Sequence, residues 1–203
     1  ERGIFNRQAA QQQAAKYGRR DSSIDYGTNP CSEIILRPKQ FCNLSEVVVR
    51  AEDTPETLQR KVELATILGT IQSCFTDFKG LSRQWMRNTE EERLLGVSLT
   101  GILDSKMMTN QTNDSLPALL SNLRLTAVST NRKWSKYLGI EPSAAITCVK
   151  PSGTVSQLVD AASGIHPRHS SYYIRTVRAD KKDPLTKFMT EKGFPVEDEL
   201  LKP

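Results

Sequence analysis

The chain has 203 residues, of which 37% are hydrophobic and 25% charged, the balance of a soluble globular protein long enough to build a core. No apolar run reaches the roughly 18 residues of a membrane span, no basic-then-apolar leader opens the chain, and the net charge of +5 comes without any block of basic residues. These features argue against a membrane anchor, a secretory leader and a DNA- or RNA-binding arm, while a modest positive charge suits an anion such as a nucleotide.

The sequence opens "ERGIFNRQ" without a methionine and stops at "DELLKP" as a new segment begins, so it is expected to be part of a longer protein. Residues 6–17 are rich in helix formers and precede Gly18, a good helix stop. A short extended piece is expected at Ser23–Tyr26, and strands at Ile34–Leu36 and Val47–Val49. "DTPE", residues 53–56, combines a capping side chain, a first-turn proline and an acid. It predicts a helix running to about Phe75, with Leu58, Val62, Ala65, Ile67 and Ile71 as its apolar positions. A second helix start is expected near Thr89-Glu90-Glu91, and a buried strand over 94–102. A long helix follows over 116–138, ended by Gly139, then a strand at 144–150 that leads into the turn "PSGT". A strand at 171–177 and a helix over about 183–192 complete the chain. Strands alternating with long helices predict an α/β layout with parallel strands.

Two stretches carry chemistry. In "TNPCSEIILRPKQFCNL", residues 28–44, Asn29, Cys31 and Glu33 stand at alternate positions, and Cys42 follows eleven residues after Cys31. On an extended backbone that spacing puts amide, thiol and carboxylate on one face. A carboxylate beside a thiol opposes thiolate formation, so the pattern does not suit a nucleophilic cysteine, which wants a positive neighbour. A neutral thiol is suited to giving up a hydrogen atom, leaving the carboxylate free for acid/base work on a hydroxyl. The spacing by itself equally allows Cys31 to be a core cysteine. The second stretch is "CVKPSGTVSQL", residues 148–158, where a strand enters a loop of glycine and hydroxyls. Such a loop can bring backbone N–H groups to a phosphate, although "PSGT" alone also reads as a plain turn. The remaining cysteines lack C-x-x-C spacing, histidine occurs twice, and a metal reading of His166 and His169 has little to support it. Without a secretory leader the default compartment is the reducing cytoplasm.

"NPCSE" followed by "CNL" resembles the catalytic segment of ribonucleotide reductases. The resemblance implies that Cys31 carries a transient thiyl radical, Glu33 is the acid/base, Asn29 bonds the substrate ribose, and Cys42 is one thiol of a redox pair. The partner thiol of that pair lies upstream in the family. Cys74 and Cys148 do not match it and are expected to be structural. Ser152, Gly153, Thr154, Val155 and Ser156 match the family's substrate-phosphate loop. The short Cys31–Cys42 spacing and the run "SGIHPRHSSYYIRTVRADKKDPL", 163–185, resemble the adenosylcobalamin-dependent, triphosphate-reducing members. No catalytic role is assigned within that run, and Arg168, Arg175 and Arg178 are read chiefly as surface residues.

The resemblance further implies a ten-stranded α/β barrel with Cys31 on a central finger loop. Residues 1–203 would be the later half of that single catalytic domain, inactive alone. Adenosylcobalamin would be the cofactor, a ribonucleotide the substrate, and thioredoxin or a similar dithiol the reductant, with no DNA or RNA polymer and no membrane as partner. The product would serve DNA synthesis. Diphosphate and triphosphate substrates both stay open. So do a glycyl-radical enzyme of the formate-lyase type, which shares the barrel, and a non-catalytic nucleotide-binding domain.

Overall fold

The computed structural model describes residues 4–109 and 115–199. The chain divides into two compact units, one reaching Arg168 and one starting at His169.

In the first unit, helix α1 (Arg7–Ala15) is capped by the Asn6 side chain, which accepts from Ala9 N–H. A small antiparallel hairpin follows, with Gly27–Thr28 (β1) paired to Ile35–Leu36 (β2). Asn43–Val48 (β3) then runs parallel to Leu95–Thr100 (β4) in the register Asn43↔Leu95 through Val48↔Thr100. Between them lie α2 (Pro55–Gln72) and α3 (Arg83–Glu92). The DTPE signal works as a capping box, with Thr54 and Thr57 exchanging side-chain and backbone bonds.

A 3₁₀ turn (Ile102–Asp104), α4 (Lys106–Thr109) and α5 (Ser115–Leu138) follow β4. The chain then returns to the sheet. Leu95 N donates to Ala145 O and Val97 N to Ile146 O, while Cys148 N donates to Val97 O and Thr147 forms a parallel bridge with Val97. The strand expected at 144–150 therefore flanks β4 on the side away from β3, although only its middle is regular. Buried Asn131 of α5 fixes this return, donating to Thr70 and Ser143 and accepting from Ser143 N–H. The short helix α6 (Thr154–Leu158) comes next.

The two faces of the sheet differ. Val47 and Val97 pack with Leu58 and Val62 of α2 and with Leu123 and Ala127 of α5. By the period-two alternation of a strand, Leu44, Gly96, Ser98 and Thr100 point to the other face. Helices thus cover one side, and the site described below occupies the opposite one.

Three expectations need correction. Thr89-Glu90-Glu91 lies in the last turn of α3, which begins at Arg83; there Glu90 accepts from Thr76 and Glu91 pairs with Arg37 instead of facing an N-terminal dipole. On α2, Thr66, Gly69 and Thr70 are buried while Leu64, Leu68 and Ile71 stay exposed, so the apolar spacing misplaces part of the buried face. Residues 171–177 form no strand: in the second unit Tyr172 and Ile174 stand almost fully exposed, and none of that unit's described residues forms a strand to pair them. That unit holds α7 (Pro184–Glu191), capped by Asp183, and the ion pairs Arg178–Glu199 and Lys181–Asp198.

One buried carboxylate braces the first unit. Glu92, 1% exposed, accepts from Arg20 (2.8 and 3.1 Å), from Arg37 (2.9 and 3.0 Å) and from Gln40 (2.7 Å). Arg20 precedes the hairpin and Arg37 and Gln40 follow it, so both flanks are tied to the residue that leads into β4. Removing one partner of such a group strands buried charge and costs about 3–5 kcal/mol. Glu92→Ala should lower the unfolding free energy by that amount in urea titration, whereas Glu63→Ala, at an exposed pair, should cost under about 1 kcal/mol.

Candidate active site

The stretch from Asn29 to Glu33 is a turn, not an extended strand. Ser32 N donates to Asn29 O at 3.0 Å, and Ser32 has φ +62, in the left-handed region. The Asn29 side-chain oxygen accepts from Ile34 N–H at 3.0 Å, while Asn29 N–H donates to Ile34 O, closing the loop across its base. The reversal breaks the single-face alignment expected from the spacing. Cys31 is exposed at the tip, whereas the Glu33 side chain is wholly buried. Within this chain Cys31 is exposed and takes no part in the core.

Glu33 meets a residue that the motif reading left without a role. Lys150 Nζ donates to Glu33 Oε1 at 2.8 Å, from the residue just before the Pro151–Gly153 turn. Glu33 Oε2 is buried and has no hydrogen-bond partner. Burial pushes the Glu33 carboxyl up, but the Lys150 hydrogen bond and charge, with help from the Asn29 amide, more than offset it, and the net displacement is downward. Asn29 thus favours the charged form without completing a bond to Oε2. Lys150 is displaced upward in turn, first by its hydrogen bond to Glu33.

The thiols gather around this pair. Cys42 lies one residue before β3 and, by alternation, on the face of Leu44. Burial raises it, and the Glu33 charge raises it further against the opposing pull of Lys150. Cys148 is pushed up to about 12, mainly by burial, with Glu33 and Cys42 adding to the effect. Expected to be merely structural, it instead borders the same group. Cys74, on the turn after α2, back-bonds to Thr70 O and has no part in it.

Gly96 makes the assembly fit. A Cβ there would collide with Leu44 and approach Cys148 Sγ to 3.1 Å and Ile34 Cδ1 to 3.2 Å. A side chain here would have to displace the end of the Leu44 side chain and crowd Cys148 and Ile34, so glycine lets the hairpin and the 145–148 strand pack closest over β4.

The 152–156 loop continues directly from Lys150. The Ser152 and Ser156 side chains are buried; Ser156 Oγ donates to Gly153 O, and Ser152 Oγ has no partner. A Cβ at Gly153 would meet nothing within 4 Å, so the space beside it is open. The loop is fastened from behind: Ser163 Oγ donates to Ser152 O, and Gly101 N and Thr100 Oγ1 donate to Ala162 O. Thr154 and Val155 begin α6, with Val155 half exposed. Arg168 is committed to Asp104 (2.9 Å) and Asp160 (2.7 Å). Among the described residues no group of three His, Cys, Asp or Glu is arranged to hold a metal ion. Nor is any helix among them long and apolar enough to cross a membrane.

Comparison with known proteins gives the class to which the chain is similar. No protein-family model matches the chain. The protein of Lacticaseibacillus paracasei named adenosylcobalamin-dependent ribonucleoside-triphosphate reductase is 30% identical over 199 residues, covering 86% of this chain and 26% of its own. The proteins of that name from Lactobacillus leichmannii and Euglena gracilis are 29% and 28% identical, covering 86% and 96% of this chain. The crystal structure of a B-12-dependent (class II) ribonucleotide reductase superposes with a TM-score of 0.52 at 26% identity, over 69% of this chain and 22% of that one. By sequence and by its mixed α/β fold, the chain is similar to ribonucleotide reductases. Within that class, its relatives are of the adenosylcobalamin-dependent kind, as the motifs implied, and the chain spans about a quarter of their length.

Exposure and proton affinity together rank the thiols. Brief alkylation with iodoacetamide at pH 8, mapped by mass spectrometry, should label Cys31 well before Cys42 and Cys148. Cys148 should react appreciably only as the pH approaches its raised value of about 12. Labelling of Cys148 at the rate of Cys31 would contradict the arrangement.

Proposed function

We propose that the protein carrying this chain reduces ribonucleotides to 2′-deoxyribonucleotides for DNA synthesis, by a radical mechanism at Cys31. The observation that carries the reading is the Glu33 carboxylate, buried, held at one oxygen and unpartnered at the other, two residues from an exposed thiol. A nearly dry carboxylate with one free oxygen is suited to take a proton from a bound hydroxyl. The names of the relatives favour triphosphates as substrate and adenosylcobalamin as cofactor.

In this reading a thiyl radical at Cys31 removes the ribose 3′ hydrogen atom, forming the S–H bond. Glu33 accepts the 3′-hydroxyl proton at Oε2. The Asn29 side-chain oxygen is already engaged by Ile34 N–H, so its NH2 group is what remains to bond the ribose. The C2′–O bond breaks and the oxygen leaves as water. Cys42 and a second thiol supply two electrons and two protons, one of them to the departing hydroxyl, and close a disulfide. Cys31 then returns its hydrogen atom to C3′ and Glu33 its proton to the 3′ oxygen, which regenerates the thiyl radical and the carboxylate, and thioredoxin or a similar dithiol reopens the disulfide. The open backbone at Gly153 and the unpartnered Ser152 hydroxyl receive the substrate phosphates, with Thr154, Val155 and Ser156 completing the loop. Adenosylcobalamin, when bound, supplies the radical; Cys31, at an exposed tip, is the residue such a source has to reach. The sheet face away from α2 and α5 would line the inside of the ten-stranded barrel, with the hairpin as its finger loop. Closure around the site keeps the radical from water and from other thiols. The cytoplasm is the compartment that keeps these thiols reduced.

The test is an anaerobic assay of the full-length protein with a ribonucleoside triphosphate, adenosylcobalamin and a dithiol. Wild type should form the deoxynucleotide without iron or oxygen, and Cys31→Ser should lose turnover by at least about a thousandfold while binding nucleotide normally. Substantial turnover by Cys31→Ser would overturn its role. Activity that requires an iron-loaded second subunit would overturn the cofactor.

A further inference from the structure

The mechanism above assigns no work to Lys150, yet Lys150 is the cation bonded to the group that moves the proton. We propose that Lys150 is a positioning residue of the reaction: it anchors Glu33 through Oε1, keeps the carboxylate charged with Oε2 free, and ties it to the phosphate loop that begins two residues later. The inference rests on the function proposed above.

Three observations carry it. First, Glu33 is wholly buried, and a buried carboxylate stays charged only with a charged or hydrogen-bonding partner. The groups acting on it are the Lys150 ammonium from the segment flanking β4 and, more weakly, its own backbone N–H and the Asn29 amide. The Cys42 and Cys148 thiols feel its charge, Cys31 lies near Lys150, and by alternation Glu46 follows on the same face of β3. Of these, Lys150 is the cation. Second, the lysine engages one carboxylate oxygen at 2.8 Å and leaves the other buried without a partner. A single-point contact fixes the carboxylate and still leaves an acceptor unused, where an arginine fork would tend to occupy both oxygens. Third, the Lys150 backbone is not free to drift. Cys148 is bonded to β4, and Gly164, at φ +54, packs so tightly on the other side that a Cβ there would lie 3.1 Å from Lys150 O. The strand that ends in the phosphate loop therefore also delivers the ammonium group to Glu33. A nucleotide seated by its phosphates on Ser152–Ser156 is thereby placed in a fixed relation to the proton acceptor, which is the condition for an efficient near-attack geometry.

The sign of the pH effect follows. Lys150 lowers the proton affinity of Glu33, so the base form persists at neutral pH and is lost as the pH falls through the folded-state value. Removing the charge raises that value and moves the loss to higher pH. In the full-length protein, Lys150→Met should shift the acid limb of kcat/KM upward by about 1 pH unit or more and lower kcat by about tenfold or more at neutral pH. KM should change less than kcat. Lys150→Arg, which keeps the charge but brings a fork that takes both oxygens, should return the acid limb most of the way while kcat stays low, and it guards against a Met variant that fails to fold.

A second readout is independent of turnover. The Glu33 carboxylate, identified in the infrared spectrum by its loss in Glu33→Gln, should titrate at higher pH in Lys150→Met than in wild type. A raised KM with kcat and the acid limb unchanged would make Lys150 a phosphate contact and overturn the proposal, as would an unmoved Glu33 titration. If wild type makes no deoxynucleotide while the Glu33 titration still moves, the function proposed above falls and the Lys150–Glu33 coupling stands.

Discussion

The arrangement depends on one buried carboxylate that takes no part in chemistry. Glu92 sits where α3 ends and β4 begins, and it draws Arg20, Arg37 and Gln40 inward from both flanks of the hairpin. The two guanidinium side chains are themselves almost fully buried; Glu92 meets the desolvation of both, with Glu91 sharing Arg37. Fork-shaped donors on a carboxylate fix direction as well as distance. A two-residue-per-strand hairpin would otherwise be marginal. Braced this way, it can hold Ser32 in a left-handed conformation and drive Glu33 into the interior while Cys31 stays at the tip.

The second constraint is the asymmetry of the sheet. Aliphatic contacts with α2 and α5 fill one face and supply the hydrophobic stabilisation. The other face is left to small and polar groups, with Gly96 at the closest approach. Two strand ends and a hairpin converge there, bringing a carboxylate, an ammonium group and thiols into one neighbourhood from positions far apart in the chain. The electrostatics are consistent with that setting. Burial raises Cys42 and Cys148, so they remain neutral thiols, while the Lys150 bond keeps Glu33 ionised. Hydrogen-atom chemistry at sulfur calls for a neutral thiol, and proton transfer calls for a free carboxylate.

How much of this was legible in the sequence depended on the range of the interaction. Signals that act within one turn read correctly: the Thr54-Pro55 start of α2, Gly139 after α5, and the strand cores at Val47–Val48 and Leu95–Thr100. The same local logic failed where distant partners decide. Thr89-Glu90-Glu91 looks like a helix start because its acids suit a positive dipole end, but Glu92 beside them is fixed by arginines more than fifty residues away. Residues 171–177 had β propensity, but no strand among the described residues of their unit pairs with them. The alternation of Asn29, Cys31 and Glu33 implied a common face, which the turn at Ser32 undoes, leaving the three on one loop with Cys31 exposed and Glu33 buried. Lys150 was invisible as a site residue because its partner lies 117 positions earlier, and Cys148 because its position is set by β4. Only the quoted motifs, matched to a known family, could bridge such distances.

The central claim is that Cys31 exchanges a hydrogen atom with the substrate at C3′. Incubating the full-length protein with a 3′-tritiated ribonucleotide and the cofactor, and counting tritium in the water, measures that step apart from the later reduction. Hydrogen held on Cys31 Sγ exchanges with solvent, so wild type and Cys42→Ser should both release tritium, and Cys31→Ser should release none above background. Release that persists in Cys31→Ser would contradict the account.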